Sequence, residues 1–215
     1  MKNNFKKFNF ITADDHSIIT SSMSFILKDL YADSEIHQVN SISGIFKILN
    51  EVKIDLMLLD ISFPDGDTLN LIPNLRKLQP DLKILIFSGH DEDVYAMRYL
   101  NAKVNGYLSK LSNEEQIKNA IVEIMNTGKY FSEKVREKIM DHYILRKPSN
   151  ILQQLSNREF EIARLITEGY GNTEICNALD LQKSTVSTYK NRIFEKLEIN
   201  NLPDLIKLFN LYEVN

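Results

Sequence analysis

The 215-residue chain is poor in the residues that mark several whole classes of protein. It has a single cysteine, seven glycines and five prolines. One cysteine excludes an intramolecular disulfide and the cysteine-rich zinc sites. So few Gly and Pro exclude collagen-like and low-complexity chains. Long apolar runs are missing too: stretches such as Leu56–Leu59 and Ile84–Phe87 are four residues long, whereas a membrane span needs about 20. The basic start, Met1-Lys-Asn-Asn-Phe-Lys-Lys7, has no apolar segment behind it, so no secretory signal is expected. These absences point to a soluble, cytoplasmic chain with no membrane partner. Nor is there an excess of positive charge. The net charge is −3, with 19 Lys/Arg against 20 Asp/Glu in residues 1–150 and 7 against 9 in residues 151–215. Any contact with nucleic acid must therefore rest on a local basic surface.

What is present is ordered by hydrophobic period. Up to about residue 128, short apolar runs alternate with helical patterns. Phe8–Thr12 reads as a strand, and Ile18, Ile19, Met23, Phe25, Ile26, Leu27 and Leu30 as a helix. Glu35–Val39 is a weaker strand, and Ser41 caps a helix carrying Ile42 to Leu49. Ile54–Asp60 is the strongest strand, followed by the turn Pro64-Asp-Gly66 and a helix over Leu69–Leu78. Lys83–Phe87, a helix near Glu92–Leu100, Gly106–Leu108 and a helix from Asn113 to Gly128 complete the series. Apolar strands without in/out alternation are buried on both faces, so a doubly wound, five-stranded parallel sheet is expected. Residues 129–150 read as a linker with a short helix (Ser132 to about Leu145) and the polar run Arg146–Asn150. Residues 151–215 read as all-α with four helices: a Ser156/Glu159 capping box opens the first, Gly169 ends it, and Asn172 caps the second. Ser184 or Thr185 opens the third, and Leu202–Tyr212 is the fourth.

Ligands of open parallel sheets bind beyond the carboxyl ends of the strands. There the first strand delivers Asp14 and Asp15, the third Asp60, the fourth Ser88, and the fifth leads to Lys110. Three carboxylates repel unless a cation joins them, and carboxylate oxygens suit Mg²⁺. Lys110 and the Ser88 hydroxyl suit the oxygens of a phosphoryl group, so the set implies phosphoryl transfer to a carboxylate. Asp65-Gly-Asp67 lacks the remaining ligands of a calcium loop and reads as a polar turn. In the C-terminal part, a short helix, a tight turn and a longer helix form a helix-turn-helix pattern. Val186, Ile193 and Leu197 form the inward stripe of the longer helix. Lys183, Lys190, Arg192 and Lys196 stand against Glu195 alone, and Glu159, Glu161 and Glu168 are expected to face away from DNA. Cys176 reads as a small buried residue. Without a motif, the same four helices are equally a protein-interaction module.

On these residues, 8–127 resemble a response-regulator receiver domain (flavodoxin/CheY-like). The resemblance makes Asp60, in Leu-Leu-Asp60, the phosphoacceptor and Asp14–Asp15 the acidic pair. Ser88 matches the conserved hydroxyl, Lys110 the lysine, and Tyr107 the aromatic switch residue. It implies one Mg²⁺ per receiver, held by Asp14, Asp15, Asp60 and the backbone carbonyl of Ser62. Pro64 keeps the family's proline position, whereas Thr68 stands where a glycine is usual. The stretches Leu155–Glu159, Glu168-Gly169, Asn172–Ile175 and Ser184–Lys190 resemble the LuxR-type helix-turn-helix of NarL/FixJ regulators. Thr-Val-Ser-Thr-Tyr-Lys190 is similar in wording to the BvgA/EvgA branch. By that resemblance Ser187, Thr188 and Asn191 face base edges, and Lys183, Lys190 and Arg192 contact phosphate.

The whole then implies a phosphorylation-dependent transcription regulator, not an enzyme beyond assisting its own phosphorylation and dephosphorylation. Its partners would be a sensor histidine kinase, double-stranded promoter DNA, a second copy when phosphorylated, and RNA polymerase. Phosphorylation is expected to pull Ser88, and through it Tyr107, inward. Two alternatives stand beside this reading: a phosphorylation-independent DNA binder with the receiver as dimerisation module, and a Mg²⁺-dependent phosphohydrolase.

Overall fold

In the computed structural model of the protein, residues 7–64, 66–145 and 151–212 are described. The chain forms two compact units, residues 1–144 and 145–215.

In the first unit, five strands pair in parallel: β1 (Asn9–Ala13), β2 (Glu35–Val39), β3 (Leu56–Leu59), β6 (Lys83–Ser88) and β7 (Gly106–Ser109). Between β3 and β6 lies a two-residue ribbon, β4 (Ser62–Phe63) against β5 (Gly66–Asp67). Such short strands carry no period, and the sequence reads this place as a turn; Asp65 lies outside the described residues. The sheet order is β2-β1-β3-β6-β7. The chain therefore runs outward from β1 to β2, then crosses back to β3, and the order reverses between β1 and β3. That reversal opens a crevice at their carboxyl ends.

Every residue of β3 is buried, because successive side chains serve opposite faces and both faces are covered. Phe10, Leu56, Leu58, Leu85, Phe87 and Leu108 pack with Met23, Ile26 and Leu27 of α1 (Ser17–Leu30) and with Ile117, Ile121 and Ile124 of α5 (Glu114–Thr127). The alternate residues serve the other face, with α2 (Ile42–Glu51), α3 (Thr68–Leu78) and α4 (Glu92–Asn101). Ser41 accepts from Gly44 N–H at the start of α2, and Gly128, at φ 81°, ends α5 where a side chain would be strained.

The chain beyond α5 stays with this unit. Tyr130 pairs with Gly106 beside β7, and a side chain at Gly106 would meet the Tyr130 carbonyl at 2.5 Å. Then α6 (Glu133–Leu145) buries Val135; Lys134 pairs with Asp93 of α4, and Arg136 with Glu123 of α5 at 2.7 Å. Residues 129–144 of the expected linker thus belong to the first unit, while Arg146–Asn150 lie outside the described residues.

The second unit holds α7 (Asn157–Thr167), α8 (Asn172–Leu179), α9 (Lys183–Lys196) and α10 (Leu202–Tyr212), preceded by a 3₁₀ turn, Ile151–Gln154. Its core includes Leu155, Phe160, Ile162, Ile175, Val186, Ile193, Leu197, Leu205 and Phe209. The Ser156/Glu159 capping box forms as its spacing predicts. Two boundaries shift by a residue. Gly171 rather than Asn172 is the N-cap of α8, with its N–H on the Glu174 carboxylate at 2.7 Å, and α9 begins at Lys183 behind Gln182. No helix among the described residues is long and apolar enough to cross a membrane.

Candidate functional site

The crevice between β1 and β3 is where the expected carboxylates meet. The backbone ladder continues one residue past each strand: Asp14 N–H donates to Val39 O (3.1 Å), Asp60 N–H to Ala13 O (2.9 Å) and Lys110 N–H to Ser88 O (2.8 Å). These bonds fix three Cα positions at one rim and aim three side chains inward. Lys110 Nζ lies 2.6 Å from Asp14 Oδ2 and 3.0 Å from Asp60 Oδ2, and both carboxylates are buried. The other oxygen of Asp60 accepts the N–H of Ile61 at 2.8 Å.

One ammonium thus serves two buried carboxylates. Burial pushes the Asp60 carboxyl above its usual range; Lys110 opposes this and Asp14 adds to it. For Lys110, burial pulls the ammonium down, but its bonds to Asp14 and Asp60 outweigh this and hold it above its usual value. Asp15 is exposed and reaches the cluster through His16, whose Nδ1 lies 2.8 Å from Asp15 Oδ1 and 3.2 Å from Asp14 Oδ1. Potential ligand atoms of Asp14, Asp15 and His16 lie within 4.8 Å of one another. An oxygen-rich set with more carboxylates than cations fits a hard divalent ion. His16 directly follows the acidic pair in sequence. Its contact with both acids follows from its place as N-cap of α1, where its own N–H donates to Asp14 Oδ1 at 2.9 Å.

Ser88, the last residue of β6, and Tyr107, within β7, are fully buried. Ser88 Oγ accepts from His90 N–H at 3.2 Å, and the Tyr107 phenol donates to the His90 carbonyl at 3.0 Å. Burial drives the phenol far above its usual pKa, the Ser88 hydroxyl partly opposing, so it stays a donor. Tyr107 is thus turned in. Ser62 is exposed, and its hydroxyl lies 3.0 Å from His90 Nε2. The structure therefore joins Asp14, Asp60 and Lys110 directly, and Ser62, Ser88 and Tyr107 through His90, a residue the sequence does not single out.

In the second unit, α9 buries Val186 and Ile193 and turns Ser187, Thr188 and Asn191 out to solvent, with Lys183 and Arg192 also exposed. Thr188 donates its hydroxyl proton to Ser184 O at 2.9 Å, so its oxygen faces out as an acceptor. Lys190 is half-buried beside the inward stripe, its ammonium 5.8 Å from the centre of the Phe194 ring. Two expectations need correction. Glu159 is not on an outer face but buried, and Lys196 lies 2.7 Å from it. Lys196 keeps 43% of its side chain in solvent but is paired with Glu159, and the remaining basic side chains of α9 are Lys183, Lys190 and Arg192. Cys176 is half-buried rather than buried.

For Glu159, burial raises the carboxyl pKa, but the bonds from Lys196 and Ser156 outweigh it and hold the value below normal. A carboxylate depressed in the folded state stabilises above its unfolded pKa, and that stability is lost as pH falls through the folded value. Replacing Lys196 with Met is accordingly expected to cost about 1–2 kcal/mol at pH 7 and progressively less below the carboxylate range. Urea unfolding at pH 7 and pH 3 checks this; an equal loss at both would contradict the pairing.

Comparison with known proteins covers both units. Residues 10–122 match the response regulator receiver domain, and residues 153–209 match the bacterial regulatory proteins of the luxR family. The chain is 30% identical over 195 residues to the virulence-factor transcription regulator BvgA of Bordetella pertussis, covering 91% of this chain and 93% of that protein. It is 28% identical to the fimbriae Z protein of Escherichia coli over 97% of this chain and 99% of that one. Among solved structures, the two-component response regulator RcsB in complex with DNA aligns over 96% of this chain and 100% of that chain, at a TM-score of 0.58 and 22% identity.

Proposed function

The chain belongs to the response regulators that join a receiver domain to a LuxR-type DNA-binding domain, and from that premise we propose that its DNA binding is set by phosphorylation of Asp60. The observation that carries this is the Lys110 ammonium held between two buried carboxylates, Asp14 and Asp60. Such a pocket suits the charge of a transferred phosphoryl group rather than simple structural pairing.

A carboxylate oxygen of Asp60 attacks phosphorus in the phosphohistidine of a sensor kinase. The O–P bond forms as the P–N bond breaks, and the departing imidazole nitrogen keeps the electron pair and takes up a proton. Lys110 neutralises charge on the transferred oxygens, and the Ile61 N–H steadies the attacking carboxylate. Mg²⁺ at Asp14, Asp15, Asp60 and the Ser62 carbonyl would supply further neutralisation of phosphoryl oxygens. Because Tyr107 is already buried, the response travels through the loop before α4. Ser88 turns its hydroxyl to the phosphoryl oxygens, His90 follows the Ser88 oxygen, and Tyr107 and α4 shift with His90.

In the second unit, Ser187, Thr188 and Asn191 read base edges, and Lys183, Lys190 and Arg192 contact phosphates. A phosphorylated homodimer sets two copies of α9 on a two-fold-related promoter site in the cytoplasm.

The direct test is mass spectrometry after incubation with acetyl phosphate and Mg²⁺, which should place one phosphoryl group on Asp60. Two substitutions test the DNA face. Lys190→Ala should weaken binding to all sequences alike and reduce the magnitude of the slope of log affinity on log salt by about 1. Asn191→Ala should instead relax preference at one base position, at a cost of about 1–3 kcal/mol on the preferred base. A uniform loss for Asn191→Ala would remove it from the base-reading set.

A further inference from the structure

Thr68, where the family usually has glycine, is fully buried and makes two hydrogen bonds of 2.8 Å. One runs to the Ile61 carbonyl, which can only accept, so Thr68 spends its single proton there. The other joins Thr68 Oγ1 to the Tyr99 hydroxyl, and Tyr99 is then the donor. The relay is therefore polarised: Tyr99 of α4 donates to Thr68 at the start of α3, and Thr68 donates to the carbonyl of the residue after Asp60. The N–H of Ile61 is bound in turn to Asp60 Oδ1 at 2.8 Å. The residue following the acceptor is held at its N–H by the Asp60 carboxylate and at its C=O by Thr68, which is held in turn by Tyr99 of α4.

We propose that Thr68 is a positioning residue through which this relay couples the state of Asp60 to α4, alongside the path through Ser88, His90 and Tyr107. The inference rests on Asp60 being the acceptor. Phosphorylating Asp60 turns its carboxylate into an acyl phosphate and so changes the charge on the oxygen that holds the Ile61 N–H. The peptide of Ile61 answers, and because the relay is buried and water cannot replace its bonds, the movement reaches Tyr99 rather than being absorbed by solvent. Glycine at position 68 has no hydroxyl and could not carry this link.

Amide hydrogen exchange of α4 in the full chain, with and without beryllium fluoride and Mg²⁺, tests the coupling. The wild type should show at least about a fivefold change in exchange between the two conditions. Thr68→Val, which keeps the shape and removes the hydroxyl, should lose at least half of that change, and Thr68→Ser should restore it. Tyr99→Phe, which leaves the Thr68–Ile61 bond intact, should behave like Thr68→Val and serves if the valine variant fails to fold. A merely structural role would raise α4 exchange equally in both conditions and leave the difference intact. That result in both Thr68→Val and Tyr99→Phe overturns the proposal, as does a wild-type α4 that does not respond. If acetyl phosphate labels the wild type and Asp60→Asn equally, the acceptor reading falls, and the coupling falls with it. Labelling of Asp60 alone, with a difference insensitive to both relay variants, removes the coupling and leaves the acceptor in place.

Discussion

Asp60→Asn protein is expected to take up no phosphoryl group from acetyl phosphate and yet to be more stable than the wild type. Asn has no anionic oxygen to attack phosphorus, which accounts for the first half. The second follows from the charges in the pocket: Asp14 and Asp60 are both buried and share one ammonium, Lys110. Removing one carboxylate leaves a matched pair, and the Asn carbonyl oxygen can still accept from Ile61 N–H or Lys110. The expected gain is on the order of 1 kcal/mol, or about 2–4 °C in Tm for a chain of this size. Mg²⁺ should raise the Tm of the wild type more than that of the variant, because it binds the folded carboxylate set. Intact mass and thermal unfolding with and without Mg²⁺ read all three effects. A variant that melts below the wild type would show that Asp60 is held for structure rather than for chemistry.

Lys110→Met should have the opposite and larger effect. Methionine keeps much of the stem but leaves Asp14 and Asp60 facing each other without a counter-charge. Breaking a buried ion pair by removing one partner costs about 3–5 kcal/mol, and the lower end is expected because Lys110 keeps 17% of its side chain in solvent. The Lys110→Met/Asp60→Asn double variant should recover part of the loss, since the two side chains are in contact and their effects are not additive. Urea unfolding at pH 7 of the four proteins measures the coupling. A loss under about 1 kcal/mol, in the range of an exposed pair, or strict additivity, would show that the contacts do not carry the charge balance assigned to them.

Much of this was legible in the sequence because a parallel sheet leaves a strong imprint. Strands buried on both faces are continuous apolar runs, and the residues that end them fall at one rim, so Asp14, Asp60, Ser88 and Lys110 could be placed together before any coordinates. The α9 stripe of Val186, Ile193 and Leu197 was equally plain, as three positions returning to one side of a helix. What escaped depends on contacts between distant residues or on elements too short to have a period. Glu159 and Lys196 are 37 residues apart, and nothing local shows that the lysine serves a buried carboxylate. The β4–β5 ribbon has two residues per strand. Thr68 reads only as a missing glycine until Tyr99, 31 residues on, supplies its donor. His90 joins Ser62, Ser88 and Tyr107 partly through its backbone, which carries no sequence signal. The segment 129–144 has linker composition, and its contacts, Tyr130 beside Gly106, Lys134 with Asp93 and Arg136 with Glu123, join residues distant in sequence.

The central claim is that phosphorylation of Asp60 governs DNA binding by α9. Selection from a randomised duplex library, with the full chain in the presence and absence of acetyl phosphate and Mg²⁺, tests it most directly. The account predicts that the phosphorylated wild type enriches a motif with two-fold-related half-sites, and that omitting the donor or replacing Asp60 with Asn weakens the enrichment together. Equal enrichment of the same motif by wild type and Asp60→Asn, with and without the donor, would contradict it and leave the first unit as a dimerisation module.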